Sequence, residues 1–214
     1  MEKAKKEETT KKKGMNLPNK ITCCRLVISL IVLLILVLPW SNMGVEWPVY
    51  SVLGVENVNL KYLVAGGLFA IGSITDFLDG YLARKNNMVT DFGKVMDAIA
   101  DKVLVNGVLI ILAYDHMLPL IVPVIIITRD IVVDSIKMAS GNKGKFVAAS
   151  WPGKIKTICM MIGVTLVFFY NMPFAFIGEG IRIDYLFVGF ATIMSIVSGC
   201  QYYLANKDFI FSEI

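Results

Sequence analysis

Apolar residues in this chain come in six blocks, at about 20–39, 59–84, 93–114, 117–139, 153–171 and 184–205. Each is near the length needed to cross the hydrocarbon core of a bilayer, about 20 residues. Backbone polar groups in that core must be satisfied within the segment, so uninterrupted runs this long predict helices. Polar or turn-rich stretches separate them: Asn42 to Asn59 with Trp47 and Pro48, Arg84 to Phe92, Ser140 to Pro152, and Asn171 to Asp184 with Pro173, Gly178 and Gly180. No internal repeat stands out. The expected fold is all-α: a basic disordered tail over 1–14, then a polytopic membrane domain of six transmembrane helices over 15–214.

Composition sharpens this picture. The chain has 214 residues, of which 56% are apolar. Soluble domains carry roughly 45–50%, so an ordinary soluble protein is disfavoured. Net charge is +4, and the placement of the charge says more than its size. Residues 1–14 hold six lysines and no apolar run. That tail is expected to be solvated and weakly attracted to anionic headgroups. No secretory signal is apparent. With the N-terminus in the cytoplasm, that side receives the tail, Arg84, Lys85, Lys143, Lys145 and Lys207, and the outer side only Lys61 and Arg182. This asymmetry follows the positive-inside rule and puts both termini inside. Trp40, Trp47 and Trp151 fall near the predicted interfaces. Cys23, Cys24, Cys159 and Cys200 lack metal-ligand spacing and are expected to act as small apolar residues. His116, the sole histidine, sits in a short predicted loop and cannot build a metal site alone. No nucleic-acid partner is expected.

Charged residues inside the blocks gather at one depth. Asp76, Asp79 and Arg84 end the second block; Lys94, Asp97, Asp101 and Lys102 begin the third. Arg129, Asp130, Asp134 and Lys137 lie late in the fourth, and Lys154 and Lys156 early in the fifth. All belong to cytoplasmic halves, while the outer halves are apolar, as in 103-VLVNGVLIILA-113. The pattern predicts a polar cavity open to the cytoplasm. A divalent-cation channel or transporter would need polar groups at several depths. Carboxylates within a membrane are costly and mark function by default.

Asp76 and Asp79 are three apart, and Asp97 and Asp101 four apart, so each pair shares one helical face. The short Arg84–Phe92 link makes the two helices antiparallel neighbours, with all four carboxylates within roughly 12 Å of the turn. Their mutual repulsion calls for cations. Mg²⁺ suits such an oxygen site when substrate phosphates complete its shell, and paired ions serve phosphoryl chemistry. Gly80 permits close approach of a substrate, and Arg84 can grip a phosphate. The alternative is a set of structural ion pairs with Lys94, Lys102 and Arg84. Asp130 and Asp134 are expected to pair with Arg129 and Lys137 on their own helix. Pro123 is placed to kink the fourth helix.

The pattern Asp76-x₂-Asp79-Gly80-x₂-Ala83-Arg84-x₈-Gly93-x₃-Asp97-x₃-Asp101 resembles the signature of the CDP-alcohol phosphatidyltransferases, with all eight defining positions filled. The resemblance extends over about residues 15–205. It implies a phospholipid-synthesising transferase of the bacterial cell membrane, with Asp76, Asp79, Asp97 and Asp101 holding two Mg²⁺ ions (Mn²⁺ as an alternative) and Asp101 also the general base. It implies that Asn19, Thr22, Gly80, Ala83, Arg84 and Thr90 contact the CDP-lipid, and that the chain forms a homodimer. The segments 16-NLPNKITCCRL-26 and 147-VAASWPGKIKT-157 resemble the branch that uses sn-glycerol 3-phosphate, except that Asp130 stands where that branch usually has glutamate. The expected substrates are thus CDP-diacylglycerol and sn-glycerol 3-phosphate, with CMP released. Arg129, Lys154 and Lys156 are the candidates for the acceptor phosphate. Inositol phosphate, serine or phosphatidylglycerol are the alternative acceptors.

Overall fold

In a computed structural model, residues 17–52, 54–85, 91–142, 151–172, 174 and 182–211 are described. Six α-helices lie among them: α1 (Leu17–Val37), α2 (Leu60–Lys85), α3 (Asp91–Tyr114), α4 (Ile121–Asn142), α5 (Trp151–Phe168) and α6 (Ile183–Phe211). They match the six apolar blocks within a few residues. Prolines fix several ends. Pro18, Pro123 and Pro152 sit in the first turns of α1, α4 and α5, where a backbone N–H has no intrahelical partner to lose. Pro123 is therefore an N-terminal residue and not the mid-helix kink the sequence suggested. The turn just past α5 holds two residues of left-handed backbone, Tyr170 (φ 54°) and Asn171 (φ 56°).

The connection from α1 to α2 is more ordered than an all-α reading foresaw. It holds a 3-10 turn (Trp40–Met43) and an antiparallel hairpin of β1 (Val49–Val52) and β2 (Val55–Asn59). Gly54 turns the hairpin at φ 80°. Val49, Val52, Val55 and Val58 recur every third residue, so no strand alternation marks the hairpin, and the strand preference of Val and Tyr decides locally. Trp40 and Trp47 meet edge to face at 5.7 Å.

Packing arranges the helices in a closed circuit. α1 packs on α2 and α3, α2 on α5, α5 on α6, α6 on α4, and α4 on α3. The core runs through Val32, Phe69, Leu104, Val108, Leu112, Ile126, Met160, Val164 and Phe168. Gly163 lets α5 and α6 approach: a Cβ there would lie 2.7 Å from Val188 Cγ2 and 2.9 Å from its backbone nitrogen. Many large apolar side chains instead face outward, among them Leu30, Leu34, Ile74, Val124, Ile131, Leu186 and Ile193. So broad an apolar surface suits a lipid environment and not water. Among the described residues, three helices contain stretches long and apolar enough to cross a membrane: Leu60–Phe77, Trp151–Phe168 and Ile183–Lys207.

Candidate active site

α2 and α3 run antiparallel, but they touch each other only lightly and are not the closely packed neighbours the short link suggested: α1 packs on both. Side chains mark the register. Tyr62, early in α2, donates a hydrogen bond to Asp115 just past α3, 2.7 Å away. Farther along, Leu104 lies over Gly72, where a Cβ would meet Leu104 Cδ2 at 3.3 Å. One turn beyond Gly72 comes Asp76, and about one and two turns before Leu104 come Asp101 and Asp97. These carboxylates therefore reach the same depth, as the spacing implied.

The element joining them was missed by sequence reasoning. α1 contributes Arg25, whose side chain is ion-paired to both Asp76 and Asp97. Arg25 is 1% exposed, while the Asp97 side chain is 50% exposed. One guanidinium thus binds a carboxylate from each of two helices, from the buried side, and leaves the other side open. The signal was present: a lone arginine in the run 21-ITCCRLVISLIVLLILVL-38 is an intramembrane charge. Thr22 is buried one turn before it.

Asp101 borders a cleft of roughly 30 Å³ together with Lys102, Asn106, Asp130 and Lys156. There Lys156 Nζ donates to Asp130 Oδ1 at 2.6 Å and Oδ2 at 2.8 Å. Arg129 NH1 donates to the same Asp130 Oδ1 at 3.0 Å, and its NH2 to Ser198 Oγ at 2.5 Å. Two acceptor-phosphate candidates from different helices therefore meet at one carboxylate. The third, Lys154, is exposed and lies 5.4 Å from the Trp151 ring. The expected pairing of Asp130 with Arg129 is present, but its second partner is Lys156. Asp134 pairs with Lys102 of α3 instead of Lys137, which lies over the Tyr202 ring at 5.2 Å. Helix packing brings α3 closer to Asp134 than intrahelical spacing alone suggests.

Asn19 falls on α1, and Asp79, Gly80, Ala83 and Arg84 on α2, but their side chains lie outside the described part. Thr90 lies outside the described residues. Among the described residues, no three His, Cys, Asp or Glu form a metal-holding group. The donor set nevertheless fits a hard cation: Asp76 and Asp97 already converge on a positive group, through oxygen ligands of the kind Mg²⁺ prefers.

Residues 15–198 match the family model described as CDP-alcohol phosphatidyltransferase. This chain belongs to that family. Relatives of the family member agree. It is 37% identical over 193 residues to the CDP-diacylglycerol–glycerol-3-phosphate 3-phosphatidyltransferase of Bacillus subtilis (strain 168), covering 90% of this chain and 96% of the relative. It is 30% identical over 194 residues to the protein of that name from Rickettsia typhi, covering 91% and 98%. With the Mycoplasma genitalium protein of that name it shares 44% identity over 108 residues, half of this chain and 46% of the relative.

Proposed function

We propose that this protein transfers the phosphatidyl group of CDP-diacylglycerol to sn-glycerol 3-phosphate, giving phosphatidylglycerophosphate and CMP. The observation that carries this reading is the meeting of Asp76 and Asp97 on one cation, at the depth of Asp101, which shares a cleft with the Asp130–Lys156 ion pair. Near full-length relatives named as glycerol-3-phosphate 3-phosphatidyltransferases support the choice of acceptor.

Asp76, Asp79, Asp97 and Asp101 would hold two Mg²⁺ ions. Bound there, the ions would neutralise the pyrophosphate and the charge developing on the leaving CMP. Asp101 accepts the proton of the acceptor's 1-hydroxyl. That oxygen forms a bond to the β-phosphorus, and the bond from this phosphorus to the bridging oxygen breaks, with its electron pair leaving on CMP. Arg129, Lys154 and Lys156 hold the acceptor phosphate. Asn19, Thr22, Gly80, Ala83, Arg84 and Thr90 contact the CDP-lipid, which enters sideways from the bilayer. In this reading all six helices span a bacterial cell membrane, the polar end and both termini are cytoplasmic, and the chain works as a homodimer.

The test is CMP release by purified protein given CDP-diacylglycerol, Mg²⁺ and one alcohol at a time. Release with sn-glycerol 3-phosphate alone, abolished by a chelator and restored by Mg²⁺, is expected. Release only with inositol phosphate or serine would replace the acceptor.

A further inference from the structure

We propose that Asp130 is the positioning residue of the acceptor-phosphate site: it holds Arg129 and Lys156 together as a two-cation seat beside Asp101. The inference rests on the acceptor reading above and extends it to a residue that touches no substrate.

Three helices build this seat. Lys156, on α5, is buried and directs its ammonium at both oxygens of Asp130 on α4. Arg129 gives one guanidinium nitrogen to the same carboxylate and another to Ser198 of α6. The Arg129 guanidinium also lies 5.7 Å from the Tyr202 ring. Gly199 makes room for it: a Cβ at that position would lie 3.1 Å from Arg129 Cγ. Every one of these contacts constrains a cation.

Without the carboxylate, two like charges at this separation would drive their long side chains apart. With it, both donate to one carboxylate, Lys156 from α5 and Arg129 from α4. The cleft bordered by Lys156 and Asp130 also contains Asp101, so a phosphate near Lys156 brings its own hydroxyl toward the proposed base. Asp130 lowers the net charge of the trio from +2 to +1, which weakens attraction for any anion. What it contributes is geometry, and geometry favours a phosphate joined to a hydroxyl at fixed distance over a free anion.

The experiment uses the full chain in lipid nanodiscs, with initial rates measured against each substrate in turn. Asp130→Asn keeps the volume and removes the charge. Its KM for sn-glycerol 3-phosphate should rise roughly tenfold or more, from loss of charged hydrogen bonds, while its KM for CDP-diacylglycerol stays within about twofold. Asp130→Glu should recover most of the loss, since a carboxylate one methylene longer can still accept from both cations. Ser198→Ala, which frees only one edge of Arg129, should shift the same KM by about threefold. Equal shifts in both KM values, or a fall in kcat alone with Glu no better than Asn, would overturn the role and leave Asp130 merely structural. If Asp130→Asn fails to fold, the Glu and Ser198 variants decide by the same KM split. No wild-type turnover with glycerol 3-phosphate sinks the acceptor reading as well; normal wild-type turnover with an unmoved KM in the variants sinks only this one.

Discussion

At the end of the bundle where α2 begins, Asp115 and Asp184 are each tied to one side chain. Asp115 accepts from the Tyr62 phenol at 2.7 Å, and Tyr62 rests edge to face on Tyr170 at 6.1 Å. Asp184, fully buried, accepts two bonds from Arg182, at 3.0 and 2.8 Å, and one from the Tyr185 N–H in the first turn of α6. At the opposite end one arginine serves two aspartates, and one aspartate serves two cations. The first arrangement closes each group locally and holds helix ends in place. The second leaves charge distributed across α1 to α5, where an added ion or a phosphate can alter the balance. Burial alone does not separate structure from function here; the sharing of partners does.

Removing the shared arginine should have the largest effect. Arg25→Met keeps most of the side-chain volume but leaves Asp76 and Asp97 facing each other. Losing one member of a buried ionic group costs about 3–5 kcal/mol; here water reaches the half-exposed Asp97, so a loss at the lower end, about 3 kcal/mol, should appear as a lower midpoint of thermal or denaturant unfolding in detergent. Millimolar Mg²⁺ should raise that midpoint more in the variant than in the wild type, because an ion can replace the lost charge. An equal effect in both would separate Arg25 from the proposed metal cluster. Next in size is Asp101→Asn. Turnover should fall by at least ~10² with the unfolding midpoint nearly unchanged. A variant with near-normal turnover removes Asp101 from the role of base.

The unequal legibility of the two ends has a physical source. Asp76, Asp97 and Asp101 could be placed at one depth because helical rise and a short link are properties of the sequence itself. Arg25 could not be joined to them in that way, since its position depends on α1 lying against both α2 and α3. Similarly, Asp134 has Lys137 three residues away on its own helix, yet packing offers Lys102 of α3 instead. Spacing along one helix was readable, and partner choice between helices was not. The hairpin over 49–59 escaped for another reason: two short strands in a connection give too little periodicity to stand out.

Away from the carboxylates, changes should alter stability and spare activity. Gly163→Ala introduces a methyl group 2.7 Å from Val188 Cγ2 and 2.9 Å from the Val188 backbone nitrogen. The backbone atom cannot rotate away, so α5 and α6 must separate. Overpacking of this kind costs about 1–3 kcal/mol. The unfolding midpoint should drop accordingly, while turnover per folded molecule stays within about twofold. A tenfold fall in turnover at full folding would mean that the α5–α6 spacing is felt at Lys156, two turns toward the other end of α5.

The smallest effect, and the most direct probe of the contrast between ends, is Tyr62→Phe. It deletes one hydroxyl and leaves the ring against Tyr170 in place. Asp115 then loses the phenolic donor that ties the start of α2 to the end of α3. A hydrogen bond to a charged partner contributes about 1.5–3 kcal/mol, and Asp115 is only half-buried, so water can recover part of it. A loss of about 1 kcal/mol is therefore expected. The Tyr62–Asp115 contact and the Asp76–Arg25–Asp97 contact are rungs of the same antiparallel pair, separated by the apolar stretch through Phe69, Gly72, Leu104 and Val108. Apolar packing transmits a displacement of the helix but no charge. KM values for both substrates should consequently match those of the wild type. A raised KM for the lipid substrate alone would show that α2 shifts relative to α3 when the Tyr62–Asp115 rung is cut, making the two ends one mechanical unit.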